Sequence, residues 1–218
     1  VTSDGLVRYG TLRSREDKLD AYVASLAQAP VDTFDKNQKL AFWVNAYNAI
    51  TLAIVVDNPQ IKSIRDLDAG EVWKTRTFTV GGASLNLDQI EHERARKLTD
   101  GRVHAALNCA SVGCPPMPPK PMAASTVQGQ LNRASAQWVR GNGIQQRGDT
   151  LYISEIFKWF PGDFQAYRKD AVPGANEAQT RALWFAAKFS DDELGRRYTA
   201  GALAVEWSTY DWALNQAK

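Results

Sequence analysis

The chain has 218 residues, 44% of them hydrophobic and 10% aromatic, which is enough apolar material for a core of ordinary size. Twenty-six Lys and Arg against 24 Asp and Glu leave a formal charge of +2 with no basic cluster denser than Arg196-Arg197. Nucleic-acid binding by counterion release needs a concentrated basic face, so no nucleic-acid partner is expected; nor is a membrane span, because the longest apolar run, Ala49 to Val56, is short.

The chain opens on Val1 with no initiating Met and no apolar signal region, as a processed or trimmed protein would. Ser14 followed by Asp17, with Leu19, Tyr22, Val23 and Leu26 at helical spacing, predicts a capped amphipathic helix over about residues 15–28. Asp35 with Gln38 opens a second helix, about 36–57, which Asn58-Pro59 ends. It is apolar almost all round, the mark of a buried central helix. Thr75 to Val80 and Ala83 to Leu85 flank Gly81-Gly82, a two-residue hairpin signature. Asn86 and Gln89 form a capping box for a third helix over about 87–98.

Val103 to Asn108 reads as a short buried strand running into CASVGCPPMPPKP, whose prolines forbid regular structure. Thr126 to Arg140 has the spacing of another amphipathic helix. A hairpin is expected from Gly143 to Gln146 and Thr150 to Ile153, then a short helix in EIFKWF and a turn at PGDF. Asn176 caps a helix through Phe189, and Ala204 to Trp207 reads as a last strand. With no repeat or linker, the expectation is a single α+β domain over 1–218, its helices packed around a small, mostly antiparallel sheet.

Chemistry concentrates in VHAALNCASVGCPP, where His104 precedes both cysteines, Cys109 and Cys114, at the end of the predicted strand. A nucleophilic cysteine needs a thiolate, and His104 is the local base. Strict strand alternation turns Cys109 away from His104, so a pair requires the chain to turn at about Asn108. Glu91 or Asn48 would orient the imidazole. Glu91 shares a helix face with Leu87, Arg94 and Leu98, so this inward carboxylate needs either Arg94 as a salt-bridge partner or His104. His92, about 100° away around the helix, belongs to the surface or to an outer layer.

Asn45 and Asn48 sit in the apolar central helix, where amides must be bonded; tying that helix to the backbone of the cysteine loop is the preferred role. The cysteines themselves are either a bridge, which requires the loop to curl back with Gly113 making that feasible, or two thiols. Zinc on Cys109, Cys114, His104 and His92 would match no standard ligand spacing, and no metal or cofactor is expected.

The stretches AFWVNAYNAITL, TFTVGGASLNLDQIEHERAR, RVHAALNCASVGCPP, SEIFKWFPGDF and YDWALNQ together resemble the domain-of-unknown-function family 547, in the same order and spacing over almost the entire chain. The family name carries no activity. Bacterial relatives of this length typically carry an export signal, so the resemblance implies a periplasmic or secreted protein, and an oxidising compartment favours a Cys109–Cys114 disulfide. Two functions follow. In one, a cysteine-dependent hydrolase or acyltransferase uses Cys109 as nucleophile, His104 as base and Glu91 or Asn48 as the orienting group. In the other, a non-catalytic binding or scaffold domain has a disulfide-pinned loop that presents Ser111 and the prolines, with Asn45 and Cys114 as supports, to a small-molecule or protein partner.

Overall fold

The computed structural model describes residues 1–217 and begins with two short helices, α1 (Tyr9–Arg13) and α2 (Glu16–Ser25). The helix predicted over 15–28 is therefore α2 plus a 3-10 turn at Leu26–Gln28, and Ser14 does not cap it. The Ser14 hydroxyl instead donates back to the Thr11 carbonyl at 2.8 Å, ending α1, a helix for which the sequence has no strong signal.

The central helix α3 (Lys36–Val56) begins with the predicted capping box: Gln38 N–H donates to Asp35 at 2.9 Å, and Asp35 N–H donates to the Gln38 side chain at 2.8 Å. By length and composition α3 could cross a membrane, more than its apolar run suggested, but 72% of that window is buried within the protein.

After α4 (Val72–Thr75), strands β1 (Thr77–Val80) and β2 (Ala83–Asn86) form the expected hairpin, with Gly81 and Gly82 at φ 58° and 78°, as a turn with two left-handed residues demands. Asn86 and Gln89 then cap α5 (Leu87–Gln89) reciprocally. This helix passes at once into a π turn, Ile90–Ala95, and a 3-10 turn, Arg96–Leu98.

The predicted strand at 103–108 is absent. Asp100 accepts a hydrogen bond from Arg102 N–H at 3.0 Å and caps a 3-10 turn over Gly101–Ala105, so His104 and its neighbours are coiled and strand parity does not apply. Among the described residues no strand pairs with this segment. Its buried polar backbone is satisfied by its own turn and by the side chain of Asn48.

Helix α6 (Val127–Trp138) ends in a second π turn, Val139–Gly143. Strands β3 (Ile144–Arg147) and β4 (Thr150–Ile153) pair antiparallel, followed by α7 (Glu155–Trp159) and a 3-10 segment, Pro161–Tyr167. Asn176 and Gln179 box the start of α8 (Glu177–Lys188), and Asp191 caps α9 (Asp192–Thr199), which the sequence reading did not assign. Strand β5 (Ala204–Trp207) lies parallel to β4. The class is α+β as expected. The single sheet resolves into a two-stranded antiparallel sheet and a three-stranded mixed one.

Apolar packing divides into two clusters. One surrounds α3, with Leu87, Ile90, Val103 and Leu131 packed against it. The other is aromatic: Trp138 stacks on Phe157 at 4.5 Å, with Phe164 and Phe185 edge-on or tilted around them. The turn at Gly101–Ala105 lies on the seam, with Val103 in the first cluster and Ala105 in the second. That is what brings His104 between them.

Candidate functional site

His104 is 4% exposed and held on two sides. Phe160 stacks on its ring at 4.6 Å and 13°, and its Nε2–H donates to Asp163 Oδ2 at 2.7 Å. Arg96 Nε donates to the same oxygen at 2.7 Å, and its guanidinium lies 4.5 Å from the Phe160 ring centre. Burial alone would raise the Asp163 carboxyl. The hydrogen bonds and charges of His104 and Arg96 outweigh it and hold the group well below the usual carboxylate range. Asp163 is thus the residue that orients the imidazole, a role the sequence reading gave to Glu91 or Asn48.

The opposite ring nitrogen, Nδ1, stands 4.0 Å from Glu91 Oε1. The expected Glu91–Arg94 pair does not form: Arg94 lies 3.8 Å from Glu93, with its guanidinium over Trp43 at 5.9 Å. The cause is the π turn, whose wider winding breaks the i,i+3 neighbour relation of an α-helix. Such turns are frequent at functional sites. Glu91 faces Tyr47 as well. The phenol of Tyr47 is pushed well above its ordinary value, first by burial and then by the charge of Glu91 and its hydrogen bond. His92 accepts from Arg96 Nη1 at 2.7 Å, and its ring centre stands 5.7 Å from that of Phe160.

The chain does turn at Asn108, whose Oδ1 accepts from Ala110 N–H at 2.9 Å. Ala110 then takes φ 63°, and the loop curls back so that the Cys109 and Cys114 sulfurs come to disulfide distance with their Cα atoms 6.4 Å apart. Ala110, not Gly113, supplies the left-handed residue. Gly113 is required for space: a Cβ there would sit 2.9 Å from both the Tyr210 ring and Asp211 N. The C-terminal segment runs beside the loop, with Val112 N–H donating to Ala213 O at 2.8 Å and Gly113 N–H to Asp211 O at 2.8 Å.

Asn48 does not orient His104. Its Nδ2 donates to Ala106 O at 2.8 Å and its Oδ1 accepts from Asn108 N–H at 2.9 Å, so it fixes the backbone between His104 and Cys109. Asn45 does the same for the far end of the proline-rich stretch, bonding both polar atoms of Met122's backbone at 2.8 and 2.9 Å. Ser111 is not presented to a partner; it is 1% exposed and its hydroxyl lies 2.8 Å from Tyr210 OH.

His104, Glu91, Tyr47 and both cysteines converge on one cleft of about 200 Å³. Its walls are aromatic, with Trp159, Tyr210 and Trp212 in mutual contact at 4.5–6.0 Å and Trp73 against Trp212 at 5.9 Å. Neither sulfur is hydrogen-bonded to His104 among the described residues; their polar neighbours are Tyr210, Ser111 and the Cys109 N–H. Tyr210, which lines the cleft, and Asp163, which holds His104 without itself lining it, are site residues that the sequence reading missed. Their signal was weak, a phenol in YDW and a carboxylate in an aromatic run, WFPGDF.

No curated protein and no solved structure matches the chain. The family model described as "Protein of unknown function, DUF547" matches residues 31–139, from a 3-10 turn at Val31–Thr33 before α3 to the first residue of the π turn that follows α6. That span is half of the chain and holds Tyr47, Glu91, His104, Cys109 and Cys114, so the chain belongs to the DUF547 family.

Proposed function

We propose that this protein is an extracytoplasmic binding domain, periplasmic or secreted, which takes a small ligand with a substantial apolar surface into the aromatic cleft, and whose Cys109–Cys114 bridge is closed at rest. One observation carries the reading: the two sulfurs lie at disulfide distance in the wall of a cleft whose other walls are mostly aromatic. Ligand sites of this kind pair apolar walls with a few placed polar groups, here Glu91, His104 and Tyr210. A closed bridge leaves no thiolate for acyl transfer, and a bridge suits an oxidising compartment.

Two measurements test this together. The intact mass of unreduced protein, before and after alkylation under denaturing conditions, should show both cysteines blocked. A fragment set followed through the indole resonances of Trp73, Trp159 and Trp212 should give ligands that shift those three and leave buried Trp138 unmoved. Free thiols in the oxygen-exposed protein, or an unresponsive cleft, would refute the reading.

A second reading has its own support, because the Asp163–His104 pair has the form of a base held by an orienting carboxylate and opens on the same cleft as Cys109. In that case Cys109 of the reduced protein is a hydrolase or acyltransferase nucleophile. Rapid alkylation of Cys109 near pH 6 after reduction, abolished in His104→Ala, would favour it over the binding domain.

A further inference from the structure

We propose that the Cys109–Cys114 bridge is a redox-active centre that accepts an electron pair from a small thiol bound in the cleft. The inference rests on the reading that the bridge is closed at rest, and adds to it a reactivity and a ligand class.

Its setting differs from that of an inert cross-link. The bridge faces the cleft, with Cys109 partly exposed and Cys114 6% exposed behind it, so an incoming sulfur meets Cys109 first. Hydrogen-bond donors are already aimed at both sulfurs. The Cys109 N–H donates to Cys114 Sγ at 3.0 Å, and Tyr210 OH donates to Cys114 Sγ at 3.2 Å. On the other side, Cys109 Sγ lies 3.1 Å from Ser111 Oγ and 3.1 Å from Tyr210 OH. Each hydroxyl has one proton. The consistent arrangement sends Tyr210's to Cys114 and leaves Ser111's for Cys109 or for the phenol oxygen. These bonds are weak to a disulfide and strengthen when the sulfur carries charge, so they favour the reduced form.

Ala110, inside the ring that the bridge closes, is held at φ 63° by hydrogen bonds that do not involve the sulfurs: its N–H donates to Asn108 Oδ1 and its carbonyl accepts from Asn215 N–H, so the loop stays curled around the pair. Burial pushes the Tyr210 phenol well above its ordinary value, outweighing the hydrogen bond with Ser111 that acts the other way, with the charges of Glu91 and Asp211 adding to the rise, so it keeps its proton as a donor throughout the range in which thiols exchange. The same two carboxylates oppose a thiolate nearby. The phenol proton is therefore the group on which the balance turns.

The exchange balances as follows. A thiol loses its proton and its thiolate attacks Cys109 Sγ; a new S–S bond forms, the Cys109–Cys114 bond breaks, and its electron pair leaves on Cys114. Cys114 departs as a thiolate met by the Cys109 N–H and the Tyr210 hydroxyl. A second thiol attacks the ligand sulfur of the mixed disulfide and frees Cys109. Two thiols become one disulfide, and the protein gains two electrons and two protons as a dithiol.

The test equilibrates the full chain anaerobically in mixtures of 2-mercaptoethanol and its disulfide, and counts free thiols by alkylation and mass. The wild type should reach half reduction while still folded, and Tyr210→Phe should need a mixture about tenfold more reducing, the worth of one hydrogen bond to a charged sulfur. Phenylalanine keeps the ring against Trp159 and Trp212, and a thermal melt of the oxidised variant verifies its fold. The mixed disulfide trapped by acid should map to Cys109. A bridge that stays closed in every mixture the fold survives, an unchanged midpoint in a folded Tyr210→Phe, or an adduct on Cys114 would overturn the proposal. Free thiols before any treatment would instead refute the closed-bridge reading beneath it.

Discussion

Replacing Asp163 by Asn tests whether the His104 site is held by charge or by shape. The wild-type carboxylate accepts from His104 Nε2 and Arg96 Nε, each at 2.7 Å, in a position where its side chain is 23% exposed. Charge-assisted hydrogen bonds are worth about 1.5–3 kcal/mol each, and partial exposure places these at the low end. An amide of the same shape can still accept one of them, so the expected loss at neutral pH is about 2 kcal/mol. For a chain of this size that lowers Tm by about 4–8 °C. The dependence on pH is the sharper readout. Asp163 is depressed in the folded protein relative to about 3.9 when unfolded. Its contribution is therefore complete above the unfolded value and drains away as pH falls below about 4 toward the folded value. Urea denaturation of wild type and Asp163→Asn at a series of pH values should show a gap that is widest near neutrality and narrows in acid. A gap independent of pH, or none at pH 7, would refute the charge argument.

The other expectations are structural. A Cys109→Ser/Cys114→Ser double variant loses a ring closed over a sequence separation of 5, about 2 kcal/mol on the chain-entropy relation, and should melt about 4–8 °C lower than the oxidised wild type. Asn48→Ala strands the Ala106 carbonyl and the Asn108 N–H together, and calorimetry should register a loss of about 3 kcal/mol. Gly101→Ala places a Cβ 2.3 Å from Phe164 Cδ1 and 3.1 Å from Asp163 O; the overpacking should cost about 1–3 kcal/mol by denaturant titration and disturb the His104 resonances.

What could be read from the sequence was what is decided within a few residues. The capping boxes at Asp35/Gln38 and Asn86/Gln89 and the cap at Asn176 are present, because each is a contact between residues three apart; the Ser14 cap fails because its hydroxyl bonds back into α1. The Gly81-Gly82 hairpin follows from a local requirement for positive φ. Failure began where a run was apolar for a non-local reason. Val103 to Leu107 is buried between two clusters, and a short buried run has no periodicity to separate strand from turn. The decisive signal is Asp100, two residues before Arg102, with a carboxylate that caps the turn. Similarly, the face assigned to Glu91 assumed α-helical winding, and nothing in IEHERA announces a π turn.

Asp163 and Tyr210 were out of reach for a different reason. Their partners, His104 and Cys109, lie 59 and 101 residues away in sequence, so no spacing rule connects them. Both stand outside the span matched by the family model, as do Phe160, Trp159 and Trp212. The matched half thus supplies the imidazole, Glu91 and the two sulfurs, while the other half supplies the carboxylate that orients the imidazole, the Tyr210 hydroxyl beside the sulfurs, and most of the aromatic wall. A chain ending at Val139 would retain every candidate residue that the cysteine motif brings to mind. It would also lose the Asp163 bond to His104, the Tyr210 hydroxyl and the aromatic neighbours of Trp138, so the chemistry of the cleft belongs to the junction of the two clusters and to neither alone.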